Sequence, residues 1–128
     1  MLSLLLVAAA FSGHGPVWTG CEHVPRTRPA KVIVACADAN FYVDHLTWTS
    51  WKTGSATAVG TGHANDCKPY CAAGHFHAFR IAIQLTKPAS CVKGRTEFTR
   101  IAWSAIQRPA GFQDGSITFR CFFLKLKR

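Results

Sequence analysis

Residues His77 to Thr86 read H-A-F-R-I-A-I-Q-L-T, with Phe79, Ile81, Ile83 and Leu85 at every second position. A period of two sends successive side chains to opposite faces of an extended chain, so this segment predicts a half-buried β-strand and not an amphipathic helix. Other segments follow suit. Lys31 to Ala37 (K-V-I-V-A-C-A) is a short β-branched run, and Phe41 to Trp48 alternates loosely with aromatics. Ser55 to Thr61 alternates small and β-branched residues. Glu97 to Trp103 and Ile117 to Cys121 place Ile101 with Trp103, and Ile117 with Phe119 and Cys121, on single faces. Asp38-Ala39-Asn40 is turn chemistry, and Gly54, Gly60, Gly62, Gly74, Gly94, Gly111 and Gly115 punctuate the rest. The expected class is all-β, a small antiparallel β-sandwich or barrel stapled by disulfides. An α+β arrangement is the alternative, with short helices at Lys52 to Thr57 or Ala105 to Gln107.

The chain has 128 residues, one domain's worth. Hydrophobic residues at 48% and charged residues at 16% exclude a disordered polyelectrolyte. Met1 to Phe11 (M-L-S-L-L-L-V-A-A-A-F) is apolar but about half the roughly 20 residues a membrane helix needs. Residues 1–15 therefore read as a signal peptide, with Ala8 and Ala10 as small residues near a cleavage point and without the usual basic start. A buried N-terminal strand is the competing reading. Residues 16–30, with Pro16, Pro25 and Pro29, read as a linker, and residues 31–128 as a single β-rich domain. No transmembrane segment is expected, and the product is placed outside the cell as a secreted protein. Gly20-Cys21 invites lipid anchoring through Cys21. Trp18 stands where a Leu is expected and the cysteine lies well past the apolar run, so an ordinary cysteine is the preferred reading.

Six cysteines (Cys21, Cys36, Cys67, Cys71, Cys91 and Cys121) in an exported chain argue for disulfides. The expected pairing is Cys36 with Cys67 and Cys71 with Cys91, leaving Cys21 and Cys121 to pair or stay apart. A zinc reading of Cys67-x-x-x-Cys71 with His63, Asp66, His75 and His77 competes. The two cysteines and two histidines lack the dozen-residue spacer of a finger, however, and His75 and His77 fall at strand spacing. No metal and no cofactor is expected.

Leu46 to Trp51 (L-T-W-T-S-W) brings Trp48 and Trp51 beside hydroxyl residues. Exposed, they would form a platform for sugar rings; buried, they are core or edge packing, which is the commoner fate of Trp. Ser50, Ser55, His63, Asp38, Asp44 and Asp66 could build a hydrolytic triad, but no G-x-S-x-G elbow is present. Asp44 and His45 are adjacent and on a regular strand would face opposite sides. His63, Asp66, His75 and His77 form the one constellation worth keeping for an enzyme. Gly60-Thr61-Gly62 is a turn or bulge and not a phosphate cradle. Lys and Arg total 15 against 6 Asp and Glu, a net charge of +9, spread along the chain with one tight cluster at Lys125 to Arg128. For an exported chain this charge fits wall polymers, lipid headgroups or acidic glycans at least as well as nucleic acid, so no specific nucleic acid partner is expected.

The blocks A-C-A-D-A-N-F (Ala35 to Phe41), L-T-W-T-S-W (Leu46 to Trp51), N-D-C-K-P-Y-C-A-A-G (Asn65 to Gly74) and E-F-T-R-I-A (Glu97 to Ala102) occur in this order. In them the chain resembles a group of small secreted actinobacterial proteins generally labelled uncharacterised. The resemblance spans Pro29 to Trp103 and implies export and cysteines matching Cys36, Cys67, Cys71 and Cys91. It brings no activity, substrate or catalytic residue, and residues Ser104 to Arg128 lie beyond it.

The leading expectation is a secreted, non-catalytic binding or structural protein for an anionic or glycan cell-surface polymer. Trp48, Trp51, His63, Asp66, His75 and His77 are its candidate contacts. One alternative is a secreted nuclease or phosphodiesterase using the His/Asp cluster. The other is an inhibitor or toxin-like interaction protein with a protein partner.

Overall fold

The computed structural model describes residues 15–92 and 94–121. The signal-peptide reading of residues 1–15 and the basic cluster Lys125 to Arg128 fall almost wholly outside the described residues. Six strands follow in order: β1 (Val32–Ile33), β2 (Phe41–Trp51), β3 (Ala56–Asn65), β4 (Phe76–Val92), β5 (Arg95–Ala105) and β6 (Gly115–Thr118). Each pairs antiparallel with the next, giving one curled sheet of order β1-β2-β3-β4-β5-β6. The all-β expectation holds. The α+β alternative does not: among the described residues the only helical turns are 3₁₀ pieces at Gly20–Glu22 and Cys71–Ala73. The two segments suspected of helicity are strand ends and the connections they run into. The Lys52 amide donates to the Ser55 carbonyl in the β2–β3 turn, and the Ile106 and Gln107 amides donate to the Arg80 carbonyl as the chain leaves β5.

The register explains the curl. Ala56 lies opposite Leu85, Ala58 opposite Ile83, Gly60 opposite Ile81 and Gly62 opposite Phe79. Every inward position of β3 is therefore Ala or Gly, while β4 supplies the bulk. A Cβ at Gly62 would come within 2.9 Å of the Phe79 ring, and one at Gly60 within 2.6 Å of the Asp44 carbonyl oxygen. Small residues in the middle strand let its neighbours bend around large side chains from β4 and β5. The resulting core holds Val43, Phe79, Ile81, Leu85, Phe98 and Ile101.

Residues 16–30, expected to be a linker, are a strap across the open side of this core. Trp18 is 4% exposed, and its ring meets Phe119 edge-on at 5.1 Å. The Val17 amide donates to the Thr96 carbonyl, and the Phe98 amide donates to the Val17 carbonyl. The prolines that suggested a linker do structural work: the Trp48 indole N–H donates to the Pro29 carbonyl (2.8 Å) and the Trp51 indole N–H to the Pro16 carbonyl (2.9 Å). A buried indole needs such an acceptor, and proline carbonyls, unused by any ladder, supply it.

All six cysteines are bridged, but not as expected. The bonds are Cys21–Cys36, Cys67–Cys71 and Cys91–Cys121. Cys71–Cys91 is excluded by β4: Cys91 lies fifteen residues along the strand from Phe76, about 50 Å of extended chain at roughly 3.3 Å per residue. Cys36 is in a turn whose Val34 and Ala35 amides both donate to the Phe41 carbonyl, and it meets the strap at Cys21 instead of Cys67. Cys21, with its sulfur in a bridge, is not a lipid-bearing thioether.

Candidate functional site

Two aspartate–histidine pairs occupy one end of the sheet, on opposite faces. The separation follows from the β3–β4 register, which sets His63 opposite Ala78 and Ala64 opposite His77. Directly opposed residues share a face, so consecutive positions send His63 outward and His77 toward the concave side.

On the outer face, Asp44 Oδ1 lies 2.8 Å from His63 Nε2 and 2.9 Å from His45 Nδ1. His45 reaches Asp44 because the β2–β3 register slips between Asp44 and Thr47, with His45 at φ 51°. A bulge of this kind re-aims a side chain, which removes the expectation that neighbouring residues must point apart. The His63 ring stacks on Tyr42 at 4.6 Å and 12°, and Lys31 Nζ sits 4.7 Å over the Tyr42 ring. Partial desolvation pushes the Asp44 carboxyl up, but the hydrogen bonds from His45 and His63 outweigh it, and the group titrates below its ordinary value. Beside this cluster an open groove of about 370 Å³ is lined by His45, Thr47, Thr49, Thr61 and Arg80. It shares Thr49 and Val59 with a second depression of about 280 Å³, lined by Thr57, Ala82, Gln84, Ala102 and Ser104. Together they form a shallow track across β2 to β5, with Arg80 and His45 at one end and a largely apolar floor of Val59, Ala82, Ala102 and Trp103 edged by Thr49, Thr57 and Gln84 along it.

At the concave side, Asp66 Oδ2 lies 2.9 Å from His77 Nε2, and Asp66 Oδ1 accepts the amides of Lys68 and His75, each at 3.1 Å. The hydrogen bonds from His77, His75 and Lys68 hold its carboxyl down at about 2. Asn65 braces the Cys67–Cys71 loop by accepting the Cys67 amide and donating to the Cys71 carbonyl. A cavity of about 160 Å³ opens here between Asp66, Lys68, His77, Pro109 and Phe112.

The constellation His63, Asp66, His75 and His77 is thus divided. Asp66 gathers His77 through its ring and His75 through its backbone, and His63 belongs to Asp44. Trp48 and Trp51 do not form an exposed platform: the two rings meet edge-on at 4.8 Å and pack against the core. Ser50 pairs with Thr57 and Asp38 accepts the Asn40 amide, so neither enters a triad with histidine. Sequence reasoning missed Tyr42, Asp44, His45 and Arg80 as a group. Arg80 was readable, as the charged residue on the outward register of an alternating strand. The His45 bulge was not, because it arises in the pairing of β2 with β3, where the register slips opposite Gly60. Among the described residues no helix is long and apolar enough to cross a membrane. Comparison of the chain with known protein families, with curated proteins and with solved structures finds no match.

Proposed function

We propose that this chain is an exported, non-catalytic binding protein whose ligand is an anionic surface polymer laid along the outer face of β2 to β5. The observation that carries this reading is the track on that face: open and shallow, edged by threonines over an apolar floor, with His45 and Arg80 at one end. An extended polymer needs a track more than a closed pocket, and the net charge of +9 favours its approach. With Trp48 and Trp51 committed to the core, ring stacking by those two indoles drops out and charge carries recognition. Retention on an immobilised polyanion should fall steeply as salt rises, and Arg80→Ser should elute earlier than wild type. Retention unaffected by ionic strength sinks the proposal.

The two Asp–His pairs favour a second reading, a hydrolase of phosphodiesters, because a carboxylate on one ring nitrogen orients the other for proton transfer. Turnover of a phosphodiester substrate that disappears in His63→Ala or His77→Ala supports it. Activity that survives in the double variant removes it.

A further inference from the structure

The Cys91–Cys121 bridge has an unusual neighbour. Glu97 is 2% exposed, and its carboxylate and the two sulfurs all lie within 4.8 Å of one another. Among the described residues no other group of three such donors converges this closely. A carboxylate buried beside a disulfide gains nothing from the sulfurs and costs solvation, so its retention there calls for partners. Two are present. Thr19 Oγ1 donates to Glu97 Oε1 at 3.0 Å from the strap, and Arg95 donates to Oε2 at 2.8 Å from the same strand. Each carboxylate oxygen is thereby oriented and keeps further lone-pair capacity, the arrangement that fixes a ligating carboxylate from behind.

The geometry points to a latent divalent-metal site of two thiolates and one carboxylate, formed by Cys91, Cys121 and Glu97 when their bridge is reduced. The oxidised chain is cross-linked there by a covalent bond; the reduced chain is cross-linked at the same place by an ion. In the first step a dithiol gives two electrons and two hydrogens to the bridge. The S–S bond breaks, Cys91 and Cys121 become thiols, and the dithiol closes into its own disulfide. In the second step a divalent ion displaces one proton from each thiol to solvent. Zinc takes sulfur at about 2.3 Å and carboxylate oxygen at about 2.0–2.2 Å, so once the bond is broken the sulfurs need separate only to roughly 3.7 Å. A water completes the tetrahedron. Two thiolates and Glu97 against a divalent ion leave one negative charge, and Arg95 stands beside it. This inference is independent of polymer binding on the outer face.

The test uses the full chain reduced without oxygen by a phosphine, which becomes its oxide with oxygen from water, and titrated with Co(II) as the probe. Reduction also frees the Cys21, Cys36, Cys67 and Cys71 thiols, so a Cys21→Ala/Cys36→Ala/Cys67→Ala/Cys71→Ala variant is run alongside. Thiolate-to-cobalt charge-transfer absorption should saturate at one equivalent for this site and persist in that variant. It should vanish when Cys91→Ser/Cys121→Ser is added to that variant. Glu97→Gln should weaken Co(II) binding about 10-fold or more, and the milder Thr19→Val several-fold, keeping the role of the carboxylate testable if the first variant does not fold. Near-ultraviolet circular dichroism lost on reduction should return with metal. Absorption that survives in that combined variant, cobalt affinity indifferent to both Glu97→Gln and Thr19→Val, or a reduced chain that binds no cobalt, overturns the inference.

Discussion

The two faces of β3 and β4 are built from the same strands one residue apart, yet they obey different rules. Inward positions hold Ala58, Gly62, Phe79, Ile81 and Leu85, closely fitted and almost without exposed surface. Outward positions hold Thr57, Thr61, His63, Arg80 and Gln84, several of them paired with neighbours by hydrogen bonds and open to solvent. Stability is concentrated on one set and the capacity to touch a ligand on the other. Because the side-chain period is two, moving one position along a strand moves from one task to the other. Substitutions at adjacent positions should therefore separate stability from binding.

The largest separation is expected on β4. Leu85→Ala removes a side chain with no exposed surface and should cost about 2–5 kcal/mol. Gln84→Ala, exposed on the other face, should stay within about 0.5 kcal/mol. Urea midpoints of the two variants measure this directly. Comparable losses at both would mean that the outer face is load-carrying too. A second pair compares glycines. Gly62→Ala places a methyl group 2.9 Å from the Phe79 ring and should cost about 1–3 kcal/mol through overpacking. Gly54→Ala meets nothing within 4 Å and lies in the turn outside the core, so its effect should fall within about 0.5 kcal/mol.

These pairs also show what the sequence discloses. Alternation in His77 to Thr86 reveals β4 and its inward set, because the strand is half buried and the pattern is strict. The strap was hidden: Pro16, Pro25 and Pro29 look like loop punctuation, and only the fold shows Pro16 and Pro29 offering carbonyls to two indoles. Disulfide pairing was hidden for a related reason. Parity and spacing do not report how far a 17-residue strand carries Cys91 from Cys71. At the candidate site, His63, Asp66, His75 and His77 stand out as residue types, but which carboxylate each histidine meets depends on facing. His63 and His77 are split by strand register, and His45 is redirected by a bulge opposite a glycine. The residue types are local properties; their grouping is not.

On the outer face the expected effect is in binding and not in folding. Arg80→Ser should lower retention on a polyanion at low salt while its urea midpoint stays within about 0.5 kcal/mol of wild type, since its side chain is exposed. His63→Gln sharpens the contrast. It removes an imidazole from Asp44 and from its stack on Tyr42, so it should disturb the His45 and Arg80 end of the track without opening the core. If Arg80→Ser instead unfolds the protein and leaves retention of the folded fraction unchanged, the division between the faces fails at the position chosen to represent it.

The smallest effect concerns acid. Asp66 titrates at about 2 in the folded chain, below the ordinary 3.8, because His77 and the amides of His75 and Lys68 favour its charged form. A carboxyl depressed by folding contributes stability that is fully present above its unfolded value and is lost as pH falls through its folded value. The window is therefore about 4 down to about 2. Asp66 is exposed enough for solvent to screen the hydrogen-bonded pair, so the contribution should register as a change in acid slope and not as a change of fold. Melting temperature followed across that window should fall less steeply in Asp66→Asn than in wild type, with the two converging at the acid end. Asp44→Asn asks the same of the outer face, where desolvation opposes the histidine hydrogen bonds and the carboxyl is lowered as a net result. Because burial works against the shift there, the acid slope should respond less to Asp44→Asn than to Asp66→Asn. The reverse order would place the stronger carboxylate–imidazole coupling beside the polymer track, and would make the outer pair the better candidate for proton transfer.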